Sequence, residues 1–199
     1  MKKFFALLVV SFSVIQGFSQ TFMHGAGVNV FVSKVSGADA SVYGGFSYSP
    51  RVTFLETESL SLSAGIPLSI AVAGSYNYNY NSYYGSEEEN TLRLLINAPV
   101  MVDLNFGAGS TKENESRFGF FVGGGFGINY GHFLVPGSDG YGDTYSVRKT
   151  STTYGPAANA GFRIAVGQNF HNIETKLSFM KGINDYKASI FGVNVSFNF

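Results

Sequence analysis

The sequence predicts an all-β chain whose eight antiparallel strands close into an up-and-down transmembrane β-barrel. Three observations carry this. After position 20 the residues alternate between apolar and polar in eight successive segments, which is the strand period of two. One face of every segment is free of charge. The chain also opens with an export leader, and no later apolar run approaches the roughly 20 residues of a spanning helix, so any crossing falls to strands.

The leader comes first. Met1, Lys2 and Lys3 give a positive start, an apolar run follows from Phe4 to Ile15, and Gly17 and Ser19 are small residues placed for cleavage before Gln20. The apolar run is too short to span a bilayer core. The expected division is a signal peptide over 1–19 and one barrel domain over 20–199. Losing the leader leaves the mature chain at a net charge of −2.

Composition agrees. With 13 Lys and Arg against 13 Asp and Glu there is no basic excess for nucleic acid. Charged residues are 13 % of the chain, about half the usual share. Yet 45 % is hydrophobic and 16 % aromatic, which argues against disorder. The absence of cysteine removes disulfides, thiol chemistry, zinc-thiolate sites and a lipoprotein anchor.

The strands follow in order. The first sets Val28, Val30 and Val32 against Gly25, Gly27 and Asn29. The second sets Val42, Phe46, Tyr48, Val52 and Phe54 against Tyr43, Ser47 and Arg51. The third runs Leu60, Leu62, Ala64, Ile66, Leu68, Ile70 and Val72, with mostly Ser, Gly and Pro between. The fourth runs from Leu92 through Ile96 and Val100 to Leu104, opposite Arg93, Asn97, Asp103 and Asn105. The fifth sets Phe118, Phe120, Val122, Phe126, Ile128 and Tyr130 against Gly119, Gly123, Gly125, Gly127 and Asn129. The sixth sets Ala158, Ala160, Phe162, Ile164 and Val166 against Asn159, Gly161 and Arg163. The seventh sets Ile173, Thr175, Leu177 and Phe179 against Glu174, Lys176 and Ser178. The eighth sets Phe191, Val193, Val195, Phe197 and Phe199 against Gly192, Asn194, Ser196 and Asn198.

Connections at 57–59 and 168–172 are short and that at 107–117 intermediate. On the other side two long loops are expected, 75–90 and 132–152, beside modest ones at 34–39 and 182–188. Short turns at one end and longer loops at the other suit an outer-membrane barrel. Strand prolines lose a ladder donor, so Pro67, Pro99 and Pro156 are expected at bulges.

The faces decide what surrounds the barrel. A soluble barrel would pack all eight apolar rows into a lumen only wide enough for side chains of mixed size. The inverse arrangement turns the bulky rows to outer-membrane lipid and fills the lumen with Gly, Ser, Asn and ion pairs. An Arg on the lipid face costs about 2–4 kcal/mol at the midplane. Accordingly Arg51, Arg93, Asp103, Arg163, Glu174 and Lys176 all fall on the opposite face. They are expected to form a polar network in the lumen, since an unpaired charge there is costly.

With this leader, eight alternating segments and a last strand ending in Phe199, the mature chain resembles the small eight-stranded outer-membrane β-barrels of Gram-negative bacteria, of the OmpA-transmembrane, OmpX and OmpW type. The stretch Tyr48-Ser49-Pro50-Arg51, with 61–68, looks like the second and third strands of such proteins. The resemblance implies that Val195, Phe197 and Phe199 are read by the barrel-assembly machinery. It implies an integral outer-membrane location with both termini in the periplasm. It points to no catalytic motif.

The loops supply the candidate contacts. Tyr76, Tyr78, Tyr80, Tyr83 and Tyr84, interleaved with Asn, offer rigid amphipathic surface and adaptable hydrogen bonds to an extracellular protein or glycan. Tyrosines here also suit an interfacial girdle. Asp139 and Asp143 have oxygen ligands to offer Ca²⁺, but a Gly/Asp turn explains them without a metal. His132, Ser138 and Asp139 share one external region, as in barrels that act on lipid A, without a matching motif. His24 and His171 fall at the other rim. No cofactor, metal or catalytic residue is expected. The expected role is structural or interactive, with an OmpW-like channel for small apolar molecules, or a lipid A-modifying enzyme, as alternatives.

Overall fold

The computed structural model describes residues 21–81, 85–112, 114–138, 144–167, 170–184 and 186–199. The leader, Tyr83, Tyr84, Asp139 and Asp143 lie outside the described residues, as do the side chains of Tyr76, Tyr78 and Tyr80.

The described residues form eight antiparallel strands. β1 comprises Thr21–Met23 and Gly25–Lys34, β2 Ser41–Tyr48 and Arg51–Glu56, β3 Leu60–Gly65 and Leu68–Asn81, and β4 Gly85–Asn97 and Val100–Gly107. β5 is Phe118–Ser138, β6 Thr144–Ala165, β7 Asn172–Lys181 and β8 Ser189–Asn198. Each strand pairs with the next. β8 pairs back onto β1 from Ser189↔Lys34 to Asn198↔Gly25. The ring therefore has no edge along its length, the condition for placing backbone in hydrocarbon.

The period-two alternation decides what faces out. Phe162 is 43 % exposed while the adjacent Arg163 is fully buried. Phe46, at 75 % exposure, precedes buried Ser47. The pattern repeats around the ring, so exposed Leu, Ile, Val and Phe form a continuous wall. Water-soluble monomers rarely expose apolar patches beyond a few hundred Å².

Four adjacent strands break at one height, β1 at His24 and the next three at prolines. β2 is interrupted at Ser49 and Pro50, β3 at Ile66 and Pro67, and β4 at Ala98 and Pro99. The remaining donors in the gap are bonded: Ser49 to Gly25 O, Ile66 to Pro50 O and Ala98 to Ile128 O. Each proline thus sits where an N–H would lose its ladder partner. The bulges expected at Pro67 and Pro99 are absent: both prolines interrupt their strands, and the register is the same on either side of each gap, as in Tyr48↔Leu68 and Arg51↔Gly65 or Ser69↔Asn97 and Gly65↔Met101. Pro156 does not interrupt its strand: it lies inside continuous β6, paired with Phe126, one residue beyond the last β6–β7 pair Ala157↔Met180. On the β7 side the ladder stops at Ala157 and is followed past Pro156 by one more bond, from Ile183 N to Tyr154 O at 2.9 Å, so the proline removes a donor from this pairing without forming a bulge.

The long external loops are mostly strand. β3 and β4 stay in register to Asn81↔Gly85, and β5 and β6 to Ser138↔Thr144. The cause is legible afterwards: Tyr-Asn alternation and the Thr-rich run before Tyr154 are themselves strand sequence. Extrapolating the β6–β7 register past Met180 sets Lys181 level with Pro156. β6 therefore continues 12 residues, 144–155, or about 40 Å along the strand, beyond the top of β7.

The lumen is divided. At the end holding the chain termini it is polar. Toward the hairpins lies an apolar cluster including Phe31, Tyr43, Leu95, Phe133, Met180 and Ile190. This corrects the expectation of a lumen filled by Gly, Ser, Asn and ion pairs, because a narrow cylinder filled by side chains needs volume as well as polarity. Glycine supplies the complementary space: a Cβ at Gly161 would run into the Phe121 ring and the Thr175 carbonyl oxygen. Gly161→Ala is expected to cost about 1–3 kcal/mol by overpacking. A lower urea midpoint for refolded barrel in lipid vesicles checks this.

Candidate functional site

Lumen-facing residues of all eight strands meet around one carboxylate. Glu174, on β7, is almost fully buried, and its Oε2 accepts hydrogen bonds from Arg51 Nη1 of β2 at 2.7 Å and Arg163 Nε of β6 at 2.9 Å. Asn198 Nδ2 of β8 donates to the same oxygen at 3.2 Å, and Lys176 Nζ stands 3.8 Å from Oε1. Arg163 Nη1 donates to Asn105 Oδ1 of β4 at 2.8 Å, and Asn105 Nδ2 to Ser63 Oγ of β3 at 2.9 Å. The Arg163 guanidinium lies 4.3 Å from the Phe121 ring centroid of β5. Arg51 also contacts Met23 Sδ of β1.

Of the six charged residues expected in the lumen, four make this ion cluster: Arg51, Arg163, Glu174 and Lys176. Asp103 lies at its margin, buried on the lumen face with its Oδ1 and that of Asn159 both close to Gly123. Arg93 does not join. It sits near the hairpin end, donating to Ser41 Oγ at 2.8 Å with its guanidinium 6.0 Å from the Tyr43 ring centroid. Its strand position put it on the lumen face but not at the same depth.

Met23, Asn105, Phe121 and Asn198 were not singled out from the sequence. Asn105 and Asn198 lay on the polar face with nothing to distinguish them. Phe121 carried a signal, since it is a bulky residue on the glycine face of β5.

Between the ion cluster and the apolar cluster lies a cavity of about 40 Å³, bordered by Phe31, Ser69, Met101, Lys176, Met180 and Asn194. That is room for a few waters.

The C-terminal strand runs to the barrel's end. Val195, Phe197 and Phe199 face outward, and the Phe197 and Phe199 rings stack at 6.1 Å. Phe199 N donates to His24 O at 2.8 Å and its ring lies 4.3 Å from the His24 ring. His171 is beside Phe197, at the same end. His132 is far from both: its Nδ1 accepts from Leu94 N at 3.1 Å and its carbonyl accepts from Tyr43. Among the described residues no group of three His, Asp or Glu side chains is arranged to hold a metal.

No protein-family model matches the chain, and no curated protein is similar to it in sequence. Solved structures are similar in fold. Ail, the attachment invasion locus protein of Yersinia pestis, superposes with a TM-score of 0.54 at 12 % identity, covering 92 % of this chain and 99 % of Ail. Neisserial surface protein A gives 0.54 at 14 %, covering 90 % and 97 %. Ail in complex with the heparin analogue sucrose octasulfate gives 0.54 at 13 %, covering 90 % and 98 %. At these identities the likeness concerns the fold, and the fold of this chain is that of the small eight-stranded outer-membrane β-barrels.

Proposed function

We infer that the chain is an integral, non-enzymatic outer-membrane protein whose closed barrel anchors two raised hairpins for contact with an extracellular protein or glycan. In this reading residues 1–19 are a cleaved signal peptide, and the last strand, with Val195, Phe197 and Phe199, is presented to the barrel-assembly machinery. The carrying observation is the pairing of a lumen packed by an ion cluster and an apolar cluster with hairpins that outrun the rest of the barrel. The crystal structure of Ail with the heparin analogue sucrose octasulfate supports a sulfated glycan as one partner class. Asp139 and Asp143 are read as turn residues, and the five loop tyrosines as contact surface.

The test has two arms. Purified barrel in a planar bilayer should give no discrete conductance steps. Cells carrying a barrel with residues 75–90 replaced by a short turn should keep heat-modifiable migration but lose retention on heparin or extracellular-matrix protein. Steady ion conductance removes the sealed-anchor reading, and unchanged retention removes this hairpin from it.

A second reading, sideways passage of small apolar molecules, is favoured by the aligned breaks. Pro67 and Pro99 border the lumen cavity, and a groove of about 370 Å³ on the outer wall is lined by Phe22, Pro50, Val52, Ile66 and Val100. Vesicles loaded with the barrel should then take up a small aromatic hydrocarbon faster than empty vesicles. Equal rates dismiss this reading.

A further inference from the structure

At one level on β7 and β1 the apolar outer wall gives way to lysines, with only Ile183 exposed beyond them on the β7 side among the described residues. Along β7, Leu177 and Phe179 are followed on the same face by exposed Lys181. Along β1, Val28, Val30 and Val32 are followed by exposed Lys34. Ser189 of β8 pairs with both, as Lys181↔Ser189 and Ser189↔Lys34. The two lysines therefore stand on one row two strand spacings apart, about 10 Å. Lys181 Nζ donates to Ser189 Oγ at 2.8 Å. Exposed Lys187 follows in the β7–β8 connection, where Ile183 is 57 % exposed.

No described carboxylate faces this row. Glu174 is in the lumen near the opposite end, and Asp39 in the β1–β2 connection accepts from Ser146 Oγ at 3.0 Å. On neighbouring β6 the outward residues near this level, Tyr154, Thr152 and Thr150, are uncharged. The basic patch is thus local, and directly beneath it the wall is Leu177, Phe179, Phe191, Val193 and Val30.

An ammonium row on top of an apolar wall fits one kind of ligand: at least two anionic groups carried on hydrocarbon chains. A soluble glycan would use the charges and leave the wall unused. The row lies at the hairpin end, which the proposed orientation makes the outer leaflet, and it is separate from the projecting hairpin tips. We propose that Lys34 and Lys181, with Lys187, form a docking site for the phosphates of an outer-leaflet glycolipid, lipid A, whose acyl chains lie along β7, β8 and β1. Lysine stems suit this place, because they lie along apolar surface while the amine reaches the head-group layer.

The test uses the full mature barrel in detergent and native mass spectrometry with three probes: diphosphoryl lipid A, its monophosphoryl form and phosphatidylglycerol. The wild type should retain diphosphoryl lipid A best. Lys34→Gln with Lys181→Gln should weaken that retention about tenfold, while Lys34→Arg with Lys181→Arg restores it. Lys112→Gln, an exposed change at the opposite end, should leave it unaltered. Equal retention by the double Gln barrel, an equal loss in Lys112→Gln, or equal retention of phosphatidylglycerol overturns the site.

A variant-free measurement guards against misfolding. Acetylation of Lys34 and Lys181 in wild-type barrel should slow at least fivefold in vesicles containing lipid A relative to phosphatidylcholine vesicles, with Lys112 unchanged. Equal rates overturn the site. Retention of extracellular partners is read separately, on the hairpin-trimmed barrel, so the two ideas fail independently.

Discussion

Glu174→Gln should be the most damaging single conservative change in the lumen. The variant keeps shape and volume but removes the charge that balances Arg51, Arg163 and Lys176, leaving only Asp103 nearby. Removing one partner of a buried ion cluster typically costs about 3–5 kcal/mol, because the other charges stay buried without compensation. Arg163 has no route to solvent, being fully buried against Phe121, Asn105 and the Gly109 carbonyl. Urea titration of barrel folded into vesicles should show the loss as a lower midpoint with little change in slope. A companion, Arg93→Gln, should cost far less, since Arg93 is only half-buried and among the described residues is held by the neutral groups Ser41 and Tyr43. If the two variants were equally stable, Glu174 would not be the hub that ties the eight strands together.

How much of this was legible can be argued from particular residues. Each strand needs only one choice, which parity faces out, and that choice then sorts every residue on it. This is why Phe162 and Arg163 could be assigned opposite environments without coordinates. Depth along the barrel is another matter. It depends on register between strands, which alternation does not encode, so Arg93 and Arg163 looked equivalent in sequence although they lie in different parts of the lumen. The aligned breaks were hidden for the same reason: Pro50, Pro67 and Pro99 are scattered in sequence and meet only once β2, β3 and β4 are registered. Hairpin length was missed because Tyr, Asn, Ser and Thr were read for their polarity, as loop, when their alternation and β-propensity continue the strand. The apolar half of the lumen was missed because Phe31, Leu95 and Phe133 occupy the polar parity of otherwise well-sorted strands. Those exceptions were the available signal.

The surrounding medium has its own decisive substitution. Val30 faces outward at 48 % exposure, and its neighbours on the adjoining strands are Val193 and Gly44. It lies four residues below Lys34 on a strand that runs from Thr21 to Lys34, so in a bilayer it sits well inside the hydrocarbon and deeper than Val32. Val30→Arg should destabilise the barrel by about 2–4 kcal/mol in lipid vesicles. The same arginine nearer the rim should cost about 0–1 kcal/mol, and Val32→Arg, one turn of the alternation closer to Lys34, should already cost less than Val30→Arg. Water outside the barrel predicts the opposite: an arginine on an exposed strand position would be nearly neutral, within about 0.5 kcal/mol. The depth gradient separates the two, because an ordinary packing defect gives no ordered decline from Val30 to Val32. A flat response along β1 would mean that hydrocarbon does not bathe this wall, and the anchor, the lysine row and the raised hairpins would all lose their frame of reference.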